Sequence, residues 1–259
     1  MAAGMNTPML DFFRRGEVAY DVRMLAAQGA IAPRPIEQLG ILMFLTSDSD
    51  SEIRETAERT LQSLPVESLA SFIARSDVPT EMREFFYKRG VPAGATPAPD
   101  SEEPLVDTDE SGLAVEGTEE QKQQTFQERL ATMTVPEKVK CATKGTREMR
   151  AILIRDPNRM VASAVLSCPK VNDAEVESFA KMGNVSEEIL RHISMNRAWT
   201  KNYGTLLALV KNSKTPVALS MNMMQRLNAS DVKKLSTDRN VPEALRVAAR
   251  KQTVANQKG

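Results

Sequence analysis

Histidine, tryptophan and cysteine are nearly missing from this 259-residue chain, which holds one, one and two of them. A single imidazole, His192, would have to carry any histidine-based acid–base or metal chemistry alone. It follows Ile189 by three positions and precedes Ile193, at the edge of an apolar stripe, where it reads as a boundary residue. Cys141 and Cys168 form no C-x-x-C pair and imply no disulfide framework. Both lie beside apolar helical positions, as small buried thiols of a reducing compartment do, so a cytoplasmic protein is expected. No apolar run nears the roughly 20 residues of a membrane helix; residues 41–45 are the most conspicuous. Asp11, Arg14 and Arg15 interrupt the N-terminal stretch too early for a signal-peptide core.

The motifs of common chemistry are missing as well. There is no H-E-x-x-H, G-x-S-x-G, Gly-rich phosphate loop or Cys/His metal spacing. Lys144-Gly145-Thr146 has the ending of a Walker A loop without its upstream glycine and strand, and reads as a helix stop followed by a cap. Asp48, Asp50 and Glu52 open like a calcium loop, but Ile53 and Arg59 stand where the central Gly and the terminal Glu belong, so capping is the reading. No enzyme activity, cofactor or metal is expected.

What is present is helical patterning and uneven charge. Hydrophobic residues make up 41% and aromatics 5%, with 14 Met, a composition suited to helix-on-helix packing. Ile53, Ala57, Leu61 and Leu64 fall on one helical face, as do Val176, Phe179 and Ala180. Tyr203 is expected to lead a buried stripe through Leu206, Leu207 and Val210, with Thr200 capping that helix. Thr134-x-x-Glu137 and Asn172-x-x-Glu175 are capping-box patterns, Ser186 precedes two acids, and Thr215-Pro216 places Pro at a first helical position. No stretch alternates as a strand would, so the expected fold is all-α. The net charge of zero divides into three blocks: 10 cations and 13 acids in residues 1–90, 2 and 10 in 91–134, and 22 and 11 in 135–259. Residues 91–125, with four prolines, many acids and one aromatic-free run to Thr125, read as a disordered acidic linker between a block at 1–90 and a basic block at 126–259. In the basic block, turns at residues 156–158, 168–170, 183–185, 196–198, 212–214 and 238–240 recur at roughly 12 to 16 residues, with an extra break near Asn228. Two short helices per repeat, about 27 to 30 residues, cannot bury an apolar face alone and must stack as an α-solenoid.

Residues 48–61, DSDSEIRETAERTL, resemble the second helix of a HEAT repeat: an Asp-rich turn, the pair Ile53-Arg54, then Ala57 and Leu61. Residues 35–45 resemble its first helix. The basic block resembles the leucine-rich-repeat-variant and HEAT-like arrays of bacteria in its N/D-P-x-x turns opening each short helix. Its wording over 144–250, including LIRDPN (153–158) and NRAWTKNY (196–203), is similar to a group of uncharacterised bacterial proteins. The resemblance implies two short HEAT-like blocks acting as a binding scaffold, with no catalytic residues to carry over. Between Ile189 and Ser230 there is no acid, and Arg191, Arg197, Lys201, Lys211, Lys214 and Arg226 lie there with Trp199 and Tyr203. Three readings of that constellation stay open: core aromatics beside a solvated cationic face, a groove for an acidic peptide or protein, or a surface for nucleic acid or anionic lipid. The expected function is a protein–protein interaction scaffold gripping an acidic partner segment, with nucleic-acid binding through the same cations as the alternative.

Overall fold

The computed structural model describes residues 7–32, 34–99, 105 and 128–258, and every regular element among them is helical. The first helices are α1 (Pro8–Arg14), α2 (Tyr20–Ala27), α3 (Pro35–Leu45), α4 (Ser51–Ser63), α5 (Val66–Ile73) and α6 (Thr80–Lys88). After residue 128 come α7 (Val135–Lys144), α8 (Arg147–Leu153), α9 (Arg159–Ser167), α10 (Asp173–Lys181) and α11 (Glu187–Met195). A single 3₁₀ turn, Trp199–Lys201, precedes α12 (Tyr203–Lys211), α13 (Val217–Met224), α14 (Ala229–Leu235) and α15 (Glu243–Lys258). No helix among the described residues is long and apolar enough to cross a membrane. Two compact units form: Met1–Leu153 with Met160–Pro169, and Ile154–Arg159 with Lys170–Gly259. Their division falls inside the block that is basic by sequence.

In the first unit, α3 is buried nearly all round, including Leu39, Ile41, Leu42 and Leu45, and α1, α2 and α4 pack on it. The amphipathic α4 buries Ile53, Ala57 and Leu61, a one-sided stripe at helical spacing. Its Asp-rich entry is a cap: the Asp50 carboxylate accepts from the N–H of Glu52 (2.9 Å) and Ile53 (3.4 Å). Asp48 accepts from the Asp50 N–H at 2.9 Å and pairs with Arg23 at 2.5 Å, while Arg54 donates to the carbonyls of Asp48 (2.7 Å) and Ser49 (3.0 Å). Helix α7 packs on α2 and α8, and its capping box is formed, with Glu137 accepting from the Thr134 N–H at 2.7 Å. Ser167 at the end of α9 donates to the buried Glu37 of α3 at 3.2 Å, across 130 positions of sequence. Both cysteines are buried here, and burial raises the Cys141 thiol above its ordinary value.

The chain leaves α6 through Gly90 at φ +81°, a left-handed stop that glycine tolerates without strain. Residues 91–99, the start of the expected linker, are tied to α5: Gly94 N–H donates to the Ala70 carbonyl and Ala98 N–H to the Ser71 carbonyl, both at 2.8 Å. The remainder of that segment, apart from Leu105, lies outside the described residues.

The second unit repeats one piece of local chemistry. Asn172, Asn202 and Asn228 each cap a helix start, accepting from the N–H three residues on, at Glu175 (3.0 Å), Thr205 (3.3 Å) and Asp231 (2.8 Å). The caps are 30 and 26 residues apart, near the spacing expected from the turns. At equivalent places behind each cap, Val176, Leu206 and Val232 are buried, and so are Phe179, Leu209 and Leu235. At the far end of these helices, Asn212 and Asp238 accept from the N–H two residues on (3.0 and 2.9 Å). Helix α12 packs on α10, and the buried Asn212 amide donates to the carbonyls of Ala180 (2.8 Å) and Met182 (3.0 Å), so both helices end side by side. The Glu177 carboxylate of α10 lies over Gly204, where a Cβ would come within 2.3 Å of it and turn that side chain aside.

Two sequence expectations about helix starts are corrected. Pro216 is the cap residue of α13 and not its first helical residue. The cap of α12 is Asn202, because Thr200 is already committed to the 3₁₀ turn, where its hydroxyl donates to the Asn196 carbonyl at 3.0 Å.

Candidate partner-binding corner

The seven residues singled out by sequence, Arg191, Arg197, Trp199, Lys201, Lys211, Lys214 and Arg226, fall at three places in the second unit. Arg197, Trp199 and Lys201 surround Thr200 in the corner between α11 and α12. Asn196 builds that corner, its carboxamide oxygen accepting from the N–H of Ala198 (2.9 Å) and Trp199 (3.4 Å). Arg226, from the end of α13, joins them through a guanidinium donor to the Thr200 carbonyl at 2.6 Å. Lys211 and Lys214 belong to the other end of α12, beside Asn212. A nine-residue helix is about 13 Å long, so the fold separates these two groups by that length. Arg191 stands apart on α11, where Glu187 pairs with it at 2.8 Å.

All six cations are exposed, and Trp199 is half-buried. Arg197, Lys201, Lys211, Lys214 and Arg226 have no carboxylate partner among the described residues. The Trp199 indole N–H makes no hydrogen bond among them either. The corner thus pairs a partly open aromatic face with three unneutralised cations held around one buried residue, Thr200, which is 4% exposed.

Tyr203 is not inside, contrary to the expected stripe. It is 39% exposed, and its hydroxyl donates to Asp231 at 2.6 Å and accepts from the Asn228 N–H at 3.2 Å. Helix α12 buries Thr205, Leu206, Ala208, Leu209 and Val210, a phase set by α10 and α13 on either side, which turns its first residue outward toward the cap of α14. The hydrogen bond to Asp231 raises the Tyr203 hydroxyl above its ordinary value, and the same bond, with Lys234, lowers the Asp231 carboxyl.

Sequence reasoning also missed carboxylates that the fold brings into the acid-free run. Glu187 reaches Arg191 from the preceding turn of α11, Glu177 lies over Gly204, and Asp231 binds Tyr203. Only Glu187 was readable, as an i,i+4 partner. No family model matches the chain, and no curated protein or solved structure matches it.

Proposed function

We propose that the protein is a non-enzymatic interaction scaffold, a short HEAT-like α-solenoid whose Thr200 corner grips an acidic segment of a partner protein. Repeated asparagine caps, each followed by a buried stripe packed on its neighbour, support the solenoid reading. The observation that carries the functional reading is the half-buried Trp199 set among Arg197, Lys201 and Arg226. Carboxylates of a partner would meet the three cations, while an apolar or proline side chain lies on the indole. Binding to a nucleic-acid backbone would draw on cations spread along the strand. The separation of Lys211 and Lys214 from the corner favours the compact peptide reading.

Trp199 is the single tryptophan, so its emission reports on the corner directly. An acidic peptide containing one proline is expected to shift that emission in the wild type, and an oligonucleotide to leave it unchanged. Replacing Arg197 and Lys201 together with Ala should remove the peptide response while the melting temperature stays nearly constant, both side chains being exposed. An equal response in the double variant, or a stronger one to the oligonucleotide, overturns the proposal.

A further inference from the structure

Away from the Thr200 corner, one surface of the first unit already carries a peptide, and it belongs to the chain itself. The last carbonyls of a helix lack intrahelical partners. In α5 the segment 94–99 reaches two of them: Ala98 N–H meets the Ser71 carbonyl, and Gly94 N–H adds a second donor to the Ala70 carbonyl, which also accepts from the Ala74 N–H at 3.2 Å. Arg75 donates to the Pro99 carbonyl at 3.4 Å. The approach is tight at its first point, where a Cβ on Gly94 would lie 3.3 Å from the carbonyl carbon and oxygen of Ala70 and from the Ser71 nitrogen. Beside the segment runs a groove of about 520 Å³ lined by Ser68, Ser71, Phe72 and Arg75 on one side and Pro97 and Pro99 on the other. The segment's own side chains are mostly exposed: residues 92, 93, 95, 96, 97 and 99 face solvent, and Gly94 and Ala98 are half-buried.

This arrangement recognises a backbone pattern and little else. Glycine fits the first hydrogen bond without displacing the helix backbone, a small residue presents the second N–H four positions later, and proline just before it fixes the local φ. We propose that the C-terminal end of α5 is a docking site for a Gly-x-x-Pro-Ala segment of a partner protein, and that residues 94–99 occupy it in cis as a displaceable strap. Two main-chain hydrogen bonds of modest net worth hold a largely exposed segment, so a competing segment of the same pattern can replace it. The short tether gives the strap an effective concentration of about a millimolar, which masks the site until the strap is displaced. This surface is independent of the Thr200 corner, and neither reading depends on the other.

The test uses the full-length chain and a fluorescein-labelled peptide with the sequence of residues 91–99. Gly94→Val disables the strap and is expected to bind the peptide measurably more tightly than the wild type. Adding Ser71→Trp, which fills the groove from a half-exposed helix position, should abolish that binding. Equal binding by Gly94→Val and the wild type overturns the proposal, as does no binding by a Gly94→Val chain with wild-type circular dichroism and melting. Amide exchange in the wild type gives a reading free of mutation. The Gly94 and Ala98 amides should exchange at least tenfold more slowly than those of Ala95 and Thr96, and equal rates mean that no strap is held.

Discussion

Replacing Glu37 with Gln should change how the stability of the first unit depends on pH. Glu37 is 2% exposed and accepts hydrogen bonds from Ser167, from the Thr7 side chain and from the Met9 backbone N–H, with Arg34 near enough to attract it. These donors favour the charged form, but burial outweighs them and raises the carboxyl above its ordinary value of 4.5. The native state therefore holds this proton more tightly than the unfolded chain does. Between the unfolded value and the raised one, stability falls as pH rises, by up to about 1.4 kcal/mol per pH unit. The benefit of the protonated form is complete below the unfolded value and is lost as pH climbs through the folded value. Asp77, Glu137, Glu148 and Asp231 are held below their ordinary values and contribute the opposite slope, lost on acidification. The difference between variant and wild type isolates Glu37, because the other groups appear in both curves. Gln cannot ionise, but its amide N–H₂ enters a site made of donors, at a cost of about 1–3 kcal/mol where it finds no acceptor. Glu37→Gln should therefore be no more stable than the wild type near pH 4 and gain on it as pH rises from the unfolded value through the raised one, with no further gain beyond it. Urea unfolding at several pH values measures this, with Trp199 emission following the second unit and far-UV circular dichroism both. Parallel stability curves for the two proteins would refute the reasoning.

Asn212→Ala removes two hydrogen bonds to the carbonyls that end α10 and should cost about 2 kcal/mol, against about 1 kcal/mol for loss of the exposed cap in Asn228→Ala. Chemical denaturation followed by Trp199 emission ranks the two; a larger loss for Asn228→Ala would mean that Asn212 does not join the helices. Phe179→Ala should cost about 3–5 kcal/mol, because the ring is 1% exposed, and Tyr203→Ala clearly less, since that ring is open to solvent. The reverse order in thermal melts would return Tyr203 to the interior. Residues 100–125 carry nine acids and one lysine, so deleting them should strengthen binding of an acidic peptide at 20 mM salt (about a 20 Å screening length) and not at 1 M. Equal affinities at low salt would remove the idea that this segment competes for the Thr200 corner.

Local chemistry was the legible part of the fold. A capping box needs only residues i and i+3, so Thr134 with Glu137 and Asn172 with Glu175 could be read before any packing was known. The Ser186 cap and the stripe of Ile53, Ala57 and Leu61 were readable for the same reason. The phase of a stripe in a nearly apolar helix is different. In YGTLLALVK several phases fit, and only the positions of α10 and α13 choose the one that buries Leu206, Leu209 and Val210 and turns Tyr203 outward. Asn212 was readable as a turn residue from its neighbours, but its amide reaches the end of α10 across 30 to 32 positions. Glu37 offered no signal at all, being one acid in a helix start where acids are common.

The candidate site was legible in composition and hidden in arrangement. A run from Ile189 to Ser230 without acids suggests a continuous cationic surface, and the fold denies that continuity in two ways. It places Lys211 and Lys214 a helix length from Arg197 and Lys201, and it brings Glu177 and Asp231 in from neighbouring helices through Gly204 and Tyr203. Charge counted along a sequence overstates the potential at a surface wherever stacked helices interleave residues from separate segments. What remains unneutralised next to an aromatic is the Thr200 corner, and there Arg226 is fixed by a backbone carbonyl, which orients the guanidinium without cancelling its charge. An arginine held that way loses less rotamer freedom when a carboxylate arrives than a free one does. The corner is therefore the place where the cationic run keeps both its charge and a defined geometry, and it is where binding of an acidic segment should be sought first.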